Sequence, residues 1–318
     1  MKAAIVGCGG IGKAHARAYS RLEGVSLAAC VDRDAQRADA LSAEFGAVAL
    51  DSICRLPDDV RLVSVTTDPA SHHPVAMELL GQGRHVFCEK PLGMTGQQAR
   101  ELSQLAADSG LALSVGFKMR YEPCFMRARR LMPRIGRVVA VSTTKTQPFQ
   151  PRPSDWRPQV GAMFELSVHE FDLIGFITGL EPVRVHSAKL SRRFGWSTED
   201  GFAAVVEYEG GVVTSLSANY TTNSSWQGRD LCMTITGERG YLRILRGDQI
   251  ICHAEEYQSE AADAPGDTFV RELEGFIGAI AGGCDPPIPA AAGVQATRLV
   301  DAIRRSASAA GPVELSDV

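Results

Sequence analysis

The chain has 318 residues, of which 45% are hydrophobic and 22% are charged, and its formal net charge at pH 7 is −4. This length exceeds what one ordinary hydrophobic core needs, so it predicts two domains. The slightly acidic balance provides no basic surface, so neither nucleic acid nor an anionic membrane is expected as a partner. No apolar run reaches the ~20 residues that span a bilayer, and the N-terminus lacks a signal-peptide pattern.

The eight cysteines are scattered along the chain and form no C-x-x-C pair. Several lie inside apolar, strand-like runs, which favours reduced, buried thiols over disulfides. Cys8 in a glycine-rich turn and Cys88 beside Glu89 are the two thiols for which sensitivity to oxidation is the alternative. The cysteine pattern and the absence of a targeting segment together predict a cytoplasmic protein.

The first 32 residues carry the most informative pattern. An apolar run over residues 2–6 ends at Gly7-Cys-Gly-Gly-Ile-Gly12, and a second apolar run ends at Asp32, 20 positions after Gly12. This G-x-G-x-x-G layout between a strand and a helix, followed by a spaced acid, is typical of a dinucleotide-binding βαβ unit. The alternative is a glycine-rich turn that serves only packing.

Each position of this turn has a physical task. Gly7 permits the tight turn, Gly9 lets the backbone approach a pyrophosphate, and Gly12 lets the helix pack against the sheet. Gly10 and Ile11 lie at the helix N-terminus, where free N–H groups and the helix dipole attract phosphate. These five residues are therefore predicted to bind the cofactor.

The acid that follows the second apolar run selects the cofactor. Asp32 can accept hydrogen bonds from a free adenosine ribose and repels a 2′-phosphate, which favours NAD. The adjacent Arg33 can instead receive that phosphate, so NADP stays possible. Both residues are predicted to contact the cofactor.

Strand-like and helix-like segments alternate up to about residue 120. The predicted strands cover 26–32, 62–67, 85–88 and 111–117, and the predicted helices cover 34–45, 74–82 and 95–108. Apolar runs with little alternation, separated by helices, indicate a parallel sheet covered on both faces. The sequence therefore predicts a doubly wound Rossmann domain over residues 1–120.

The pattern changes in the remaining residues, 121–318. Helices are predicted at 122–132, 163–178, 268–281 and 290–308, and strands at 137–146, 183–190, 201–208, 212–220, 231–236 and 241–246. Hairpin-type turns between several strands predict an α+β domain with an open, mostly antiparallel sheet. Residues 147–159 are expected to be irregular, and the acidic stretch 255–267 is expected to be a mobile loop.

Glu89-Lys90-Pro91 follows a predicted parallel strand, at the sheet edge where doubly wound folds bind ligands. Proline keeps Lys90 out of the α region, and a cis Lys–Pro bond is possible. A lysine held there can donate to a substrate oxygen and, if desolvated, transfer a proton. The alternative is a surface lysine paired with Glu89.

A predicted helix carries Glu165, His169 and Asp172 at spacing i, i+4, i+7, which places them on one stripe. A carboxylate one turn from an imidazole can fix its tautomer and make it a better base. The same pair resembles half a metal site, but no second ligand cluster accompanies it, so no metal is expected. A buried histidine satisfied by its neighbours is the structural alternative.

Trp156 and Arg157 come just before this helix. An aromatic face and a forked donor suit the stacking and hydroxyl contacts of a sugar-sized ligand. The alternative is a structural aromatic residue beside a surface arginine. We expect the substrate pocket also to draw on residues around 118–121, including Arg120, on residues 145–157 and on the sheet of the second domain.

These motifs together resemble the glucose–fructose oxidoreductase, inositol dehydrogenase and MocA (Gfo/Idh/MocA) family of NAD(P)-dependent enzymes. The resemblance covers nearly the whole chain: the glycine fingerprint, residues 83–92 with Glu-Lys-Pro, 115–121, Trp156-Arg157, Glu165-x-x-x-His169-x-x-Asp172, 269–276 and the region of Ser306.

The resemblance implies an NAD-dependent oxidoreductase that acts on a secondary alcohol or ketone of a sugar, cyclitol or sugar acid. It implies that Lys90 and His169 flank the reacting carbon, that Glu165 orients His169 or holds a substrate hydroxyl, and that Glu89 belongs to the cofactor motif. Thr67 and His72 are assigned to the nicotinamide side of the cofactor site. The open sheet is expected to build a homo-dimer or homo-tetramer.

Two positions depart from the family pattern. Glu165 replaces the usual aspartate, and Thr67-Asp68-Pro69 replaces the common Thr-Pro-Asn. The first departure prevents a direct transfer of substrate specificity. The alternatives to a dehydrogenase are a glycosidase that uses bound NAD transiently, a nucleotide-sensing regulator without turnover, and, within the oxidoreductases, a dihydrodiol- or biliverdin-type enzyme.

Overall fold

A computed structural model describes residues 1–149, 155–222, 230–264 and 266–318. The chain forms two compact units, Met1–Lys118 with Asp267–Val294, and Met119–Gly266 with Gln295–Val318. The sequence analysis divides the chain once, near residue 120, whereas the structure adds a distant segment to the first unit. That segment contains the helix Thr268–Gly282, whose Leu273 and Phe276 belong to the hydrophobic core of the first unit.

The first unit is an α/β fold with a six-stranded parallel sheet, in the order β3-β2-β1-β4-β5-β6. Its strands are β1 (Lys2–Val6), β2 (Ser26–Val31), β3 (Val48–Leu50), β4 (Val60–Val65), β5 (His85–Cys88) and β6 (Leu113–Val115). Its helices are α1 (Gly10–Tyr19), α2 (Ala35–Phe45), α3 (Pro69–Gly81), α4 (Gly96–Asp108) and α8 (Thr268–Gly282). The Rossmann prediction is confirmed.

Local sequence explains most of these boundaries. Asp34 caps α2 by accepting from the backbone N–H groups of residues 36 and 37, and Thr95 caps α4 in the same manner. Pro69 at the first turn starts α3 well before the predicted residue 74, since proline suits a helix N-terminus. The short strand β3 escaped prediction because three residues carry too little periodicity.

The strand order reverses between β1 and β4, which are hydrogen-bonded neighbours. Crossovers from these two strands go in opposite directions and leave a crevice at their carboxyl ends, where doubly wound folds bind their ligands. The glycine-rich turn and Thr66–Thr67 follow β1 and β4 at this edge, and Glu89–Lys90 follows β5. The fold therefore brings three of the predicted motifs together.

The second unit contains a nine-stranded sheet in the order β14-β13-β12-β11-β7-β10-β9-β8-β15, antiparallel except for the β7–β10 pair. Its strands are β7 (Val138–Pro148), β8 (Pro182–Ser191), β9 (Gly201–Tyr208), β10 (Val212–Thr221), β11 (Asp230–Gly237), β12 (Gly240–Leu245), β13 (Gln249–His253), β14 (Tyr257–Ala261) and β15 (Val313–Glu314). The remaining helices are α5 (Pro123–Ile135), α6 (Arg157–Val160), α7 (Val168–Thr178) and α9 (Ala290–Ala309). The mostly antiparallel sheet is as predicted.

Two predictions for this unit need correction. The stretch 255–267 contains β14, which pairs with β13, so the expectation of a loop throughout is wrong. Backbone hydrogen bonds place this polar strand at the sheet edge, where its side chains need no burial. The predicted helix over 163–178 begins with a π-helical turn, Met163–Ser167, before α7. Residues 150–154 of the expected irregular stretch, and Pro265 of the expected loop, lie outside the described residues.

All eight cysteines lie among the described residues, and each is a free thiol. Cys30, Cys88, Cys124 and Cys252 are buried, whereas Cys54 and Cys284 are exposed. A search of the described helices finds none with both the length and the apolar character to cross a membrane.

Candidate active site

The glycine-rich turn has the geometry that its sequence predicts. Gly7 has a φ of +101°, and a Cβ there would lie 2.6 Å from the backbone of Thr66. A Cβ on Gly12 would lie 2.1 Å from the Gly7 carbonyl oxygen. Both positions therefore exclude any side chain. A Cβ on Gly9 or Gly10 would meet no atom within 4 Å, so these two glycines border open space that suits the pyrophosphate of a dinucleotide.

The Asp32 carboxylate is held in place by two backbone donors. Its Oδ2 accepts from the Cys8 N–H at 2.7 Å, and its Oδ1 accepts from the Asp34 N–H at 2.9 Å. Each oxygen retains a lone pair for a further donor. The carboxylate is thus oriented beside the glycine-rich turn, as a ribose-binding acid requires.

Arg33 points into solvent, with its side chain 89% exposed, and its guanidinium lies 3.6 Å from the Asp68 carboxylate. The Ser71 hydroxyl donates to the same carboxylate at 2.8 Å. The residue that replaces the common proline of the family pattern is therefore an acid that contacts Arg33. This pairing opposes the use of Arg33 for a 2′-phosphate, although an exposed ion pair is worth only about 0–1 kcal/mol.

The Lys90–Pro91 peptide bond is cis. The ring of His72, 1% exposed, lies between the Pro91 carbonyl, 2.7 Å from Nδ1, and the Thr67 carbonyl, 3.2 Å from Nε2. Burial lowers the pKa of His72, so the ring is neutral and donates through only one of its nitrogens. The Pro91 carbonyl is the better acceptor for this N–H, because it lies closer to the ring than the Thr67 carbonyl does. His72 thereby braces the turn that carries Lys90.

Behind Lys90 lies a chain of buried hydrogen bonds. The Tyr19 hydroxyl is 2.6 Å from the Ser64 hydroxyl, which is 3.1 Å from His15 Nδ1, and His15 Nε2 is 3.1 Å from the Glu89 carboxylate. When Tyr19 donates to Ser64, Ser64 donates to His15 Nδ1 and His15 Nε2–H donates to Glu89, every group in this chain has a hydrogen-bond partner. The second oxygen of Glu89 accepts from the Lys90 backbone N–H at 3.2 Å.

Glu89 keeps its charge in this buried position. Burial alone would raise the pKa of Glu89, but the hydrogen bond from His15 and the charges of Lys118 and Lys90 lower it. The Glu89 carboxylate therefore anchors the Lys90 backbone. None of the sequence patterns revealed His15, which looks like an ordinary helix residue.

Glu272 on α8 joins the same cluster. It is 2% exposed, and within the part of the chain that the structure describes neither of its carboxyl oxygens has a hydrogen-bond partner. One of its oxygens lies within 4.8 Å of ligand atoms of His15 and Glu89. This triad has the donor types of a metal site, but burial and the neighbouring Glu89 charge favour a proton on Glu272.

Burial and the nearby Glu89 charge raise the pKa of Glu272 well above its usual value. The unfolded chain therefore loses this proton at a lower pH than the folded protein does. The free energy of unfolding falls as the pH rises above about 4.3, the pKa of a glutamate in the unfolded chain. We expect Glu272→Gln to stabilise the protein by ~1 kcal/mol or more at pH 8, and to change little near pH 4. Denaturant unfolding across this range measures the difference.

Glu274→Gln is the matched control, because Glu274 lies on the same helix and is exposed. It should leave the pH dependence of unfolding as in the wild type. An identical pH slope in the Glu272 and Glu274 variants would show that Glu272 is ionised in the folded protein.

The second unit carries the predicted acid–imidazole pair. Glu165 lies in the π-helical turn and is partly exposed, and His169 is 7% exposed in the first turn of α7. The Val168 N–H donates to the Met163 carbonyl, five residues back. Because a π-helix turns less per residue than an α-helix, the predicted single stripe of Glu165, His169 and Asp172 is altered. Such turns are frequent at functional sites.

Asp172 forms a buried ion pair with Arg120. The Arg120 Nε donates to Asp172 Oδ2 at 2.8 Å and its Nη2 to Oδ1 at 2.5 Å, and the two side chains are 14% and 2% exposed. Burial raises the pKa of Asp172, and the guanidinium offsets this only in part. The Asp172 carboxylate thus holds the Arg120 guanidinium in place. Arg120, which is predicted to contact the substrate, uses two of its five N–H donors in this ion pair.

Arg157 lies in a pocket of aromatic side chains. Its Nε donates to the Asp155 carboxylate at 2.8 Å, and its guanidinium lies 4.6 Å from the Phe149 ring centroid. Trp156, by contrast, is 39% exposed. Asp155 therefore neutralises Arg157, which suits contacts with hydroxyl groups better than capture of an anion.

Tyr220 is a residue of this region that sequence reasoning missed. Its ring is 1% exposed, and burial followed by the charge of Glu165 raises the pKa of its phenol. The charges of Arg157 and Asp155 also act on it. Tyr220 ends an alternating strand, and nothing in that pattern distinguishes it from a core aromatic residue.

Family models match both units of the chain. Residues 1–117 match the Gfo/Idh/MocA oxidoreductase family, NAD-binding Rossmann fold, and residues 132–315 match the C-terminal alpha/beta domain of the same family. The resemblance inferred from the motifs is confirmed.

Individual relatives cover most of the chain. An inositol 2-dehydrogenase from Rhizobium meliloti (strain 1021) is 26% identical over 95% of both chains, and a myo-inositol dehydrogenase from Streptomyces leeuwenhoekii is 32% identical over 76% of both. Among solved structures, a UDP-N-acetylglucosamine 3-dehydrogenase from Acidithiobacillus ferrooxidans has a TM-score of 0.84 and 26% identity, covering 97% of this chain and 98% of that one.

Proposed function

This chain belongs to the Gfo/Idh/MocA oxidoreductase family, and from this membership and the site geometry we propose an NAD-dependent dehydrogenase of a small polyhydroxylated substrate. The substrate class is a sugar, a cyclitol or a sugar acid, oxidised at a secondary alcohol or reduced at the matching ketone. The observation that carries the proposal is Lys90 on a turn held by His72, at the ligand-binding edge of an NAD-binding Rossmann sheet.

The residues present fit the dinucleotide. Gly9 and Gly10 border space that a Cβ would fill, and the oriented Asp32 carboxylate suits a ribose diol. When bound, the nicotinamide supplies the hydride acceptor or donor of the reaction. Arg33 is a nearby group that suits NADP, and its contact with Asp68 supports NAD as the preferred cofactor.

We propose that His169 transfers the proton of the reacting hydroxyl group. The imidazole takes the proton of the substrate hydroxyl in oxidation and returns it in reduction, while the Lys90 ammonium hydrogen-bonds the same oxygen and stabilises its developing charge. Glu165 orients His169 or holds a neighbouring hydroxyl. The extra methylene relative to aspartate moves this carboxylate, which makes Glu165 a determinant of substrate choice.

The assigned substrate contacts are Arg120, Trp156 and Arg157 along with the reacting groups. The relatives named above are dehydrogenases of a cyclitol and of a nucleotide sugar, so family membership alone leaves the substrate class broad. The ion pair of Arg157 with Asp155 supports neutral polyols over anionic ligands.

Absorbance at 340 nm tests this proposal, with NAD and with NADP, across inositols, aldoses, sugar acids and nucleotide sugars. We expect NADH to appear with one substrate group, and faster than NADPH. Release of sugar from a chromogenic glycoside without accumulation of NADH would favour the glycosidase instead. Calorimetry with NADH provides the control, since absence of binding would reject the cofactor site itself.

We also propose a homo-dimer or homo-tetramer formed through the nine-stranded sheet, in a cytoplasmic protein with reduced thiols. Val205 and Val213 are 37% and 51% exposed on adjacent strands of this sheet, which supports a covered face. Light scattering that gives only the mass of a monomer at micromolar concentration would contradict this assembly.

A further inference from the structure

Lys145 is a buried cation whose surroundings the proposed chemistry does not explain. It is 6% exposed on β7, and its strand neighbours Ala218 on β10 and Leu231 on β11 are both fully buried. A lysine surrounded by apolar strands is costly unless its ammonium is paired and hydrogen-bonded. The partners of Lys145 therefore indicate what the residue does.

The Lys145 ammonium contacts the helical segment that carries the proposed reacting groups. It lies 3.0 and 3.3 Å from the two carboxyl oxygens of Glu170, which is 1% exposed, and it donates to the Leu166 carbonyl oxygen. Leu166 and Glu170 each directly follow one residue of the proposed pair, Glu165 and His169.

The Leu166 carbonyl belongs to the π-helical turn Met163–Ser167. A helix departs from its regular hydrogen-bond ladder where a side chain inserts into that ladder. An ammonium donor at a carbonyl of this turn supplies a hydrogen bond from outside the helix backbone. The contact thus accounts for a π-turn in a segment whose sequence predicts a continuous α-helix.

We propose that Lys145 is a positioning residue for Glu165 and His169: its ammonium group, through the Leu166 carbonyl, holds the π-helical turn that sets the directions of both side chains. This inference rests on the proposed function, because it takes Glu165 and His169 as reacting groups. Glu170 compensates the charge that this arrangement buries. Lys145 contacts the Leu166 carbonyl and Glu170, and in this proposal it acts on the substrate through the turn.

Removing one partner of a buried ion pair leaves an uncompensated charge, at a cost of about 3–5 kcal/mol, and risks unfolding. The test therefore uses two double variants, Lys145→Met with Glu170→Gln, and Lys145→Gln with Glu170→Gln. Both remove the charges, but only the second keeps an N–H donor at position 145. Both should bind NADH with wild-type stoichiometry, which counts folded protein.

We expect the methionine variant to lose about 10–100-fold in kcat, since small misplacements of reacting groups have effects of this size, with KM changed less than kcat. The pH profile of kcat/KM should shift on the side where activity depends on the protonation of His169. The glutamine variant should recover part of kcat. A methionine variant with wild-type kcat, or equal kcat in the two variants, would overturn the proposal.

A crystal structure of the methionine variant separates this inference from the proposed function. We expect the Val168 N–H to bond Phe164, four residues back, in place of Met163. A retained π-turn would overturn the role of Lys145, whatever the substrate is. Failure of the proposed function shows differently, as a wild-type protein that reduces no nicotinamide with any substrate.

Discussion

Replacing Lys90 by methionine is expected to lower kcat by about 10²–10³-fold, the usual contribution of a positioned donor that stabilises developing charge on the reacting oxygen. Methionine keeps an unbranched side chain of similar shape and removes the charge and the donors. The turn itself should persist, because His72 holds the Pro91 carbonyl and Glu89 holds the Lys90 backbone N–H. NADH affinity should therefore remain within a few fold of the wild type.

Stopped-flow measurement of hydride transfer on the substrate found by the cofactor assay gives this rate without interference from product release. Lys189→Met is the matched control, since Lys189 is an exposed residue of β8 away from the proposed site residues. Its turnover should equal that of the wild type. Full turnover in the Lys90 variant would remove Lys90 from the mechanism and leave His169 as the only group proposed to contact the reacting oxygen.

Adding one methyl group at Gly12 should remove most of the affinity for the dinucleotide. The new Cβ would lie 2.1 Å from the Gly7 carbonyl oxygen and 3.1 Å from the Thr66 hydroxyl, so the loop or α1 must shift. Overpacking costs about 1–3 kcal/mol, which corresponds to ~5–150-fold in Kd if the shift is undone on binding. Calorimetric titration of Gly12→Ala with NADH measures it.

Gly278→Ala makes the same chemical change in helix α8, where the added Cβ meets no atom within 4 Å. This control should bind NADH as the wild type does, and alanine should slightly stabilise the helix. Thermal unfolding of both variants shows whether Gly12→Ala acts on the loop alone or on the whole unit. Unchanged NADH affinity in Gly12→Ala would mean that the glycine-rich turn does not hold the cofactor.

The Rossmann sheet was predictable because its signals are local. A glycine-rich turn, a spaced acid and a proline after a lysine each depend on residues close in sequence, and backbone sterics give each pattern a narrow meaning. The apolar runs of β1, β4 and β5 likewise reflect burial on both faces. For these elements, one chain is enough to infer the fold and the cofactor site.

The strand β14 and the π-turn show where local pattern is insufficient. Tyr257–Ala261 is polar and acidic, and it becomes a strand only because β13 offers its backbone hydrogen bonds. The segment Met163–Ser167 has a continuous helical pattern, yet it contacts an ammonium group from β7 through the carbonyl of Leu166. In both cases a partner distant in sequence changes the local outcome.

The sequence by itself determined the family, the NAD-binding domain and the candidate residues Lys90, Glu165 and His169, because these depend on short motifs. Only the tertiary structure decided what surrounds them. It placed α8 on the first unit, so that Glu272 faces the His15–Glu89 pair, and it tied Arg120 to Asp172. Buried charges require partners wherever the chain supplies them, and sequence distance gives no sign of which residues those will be.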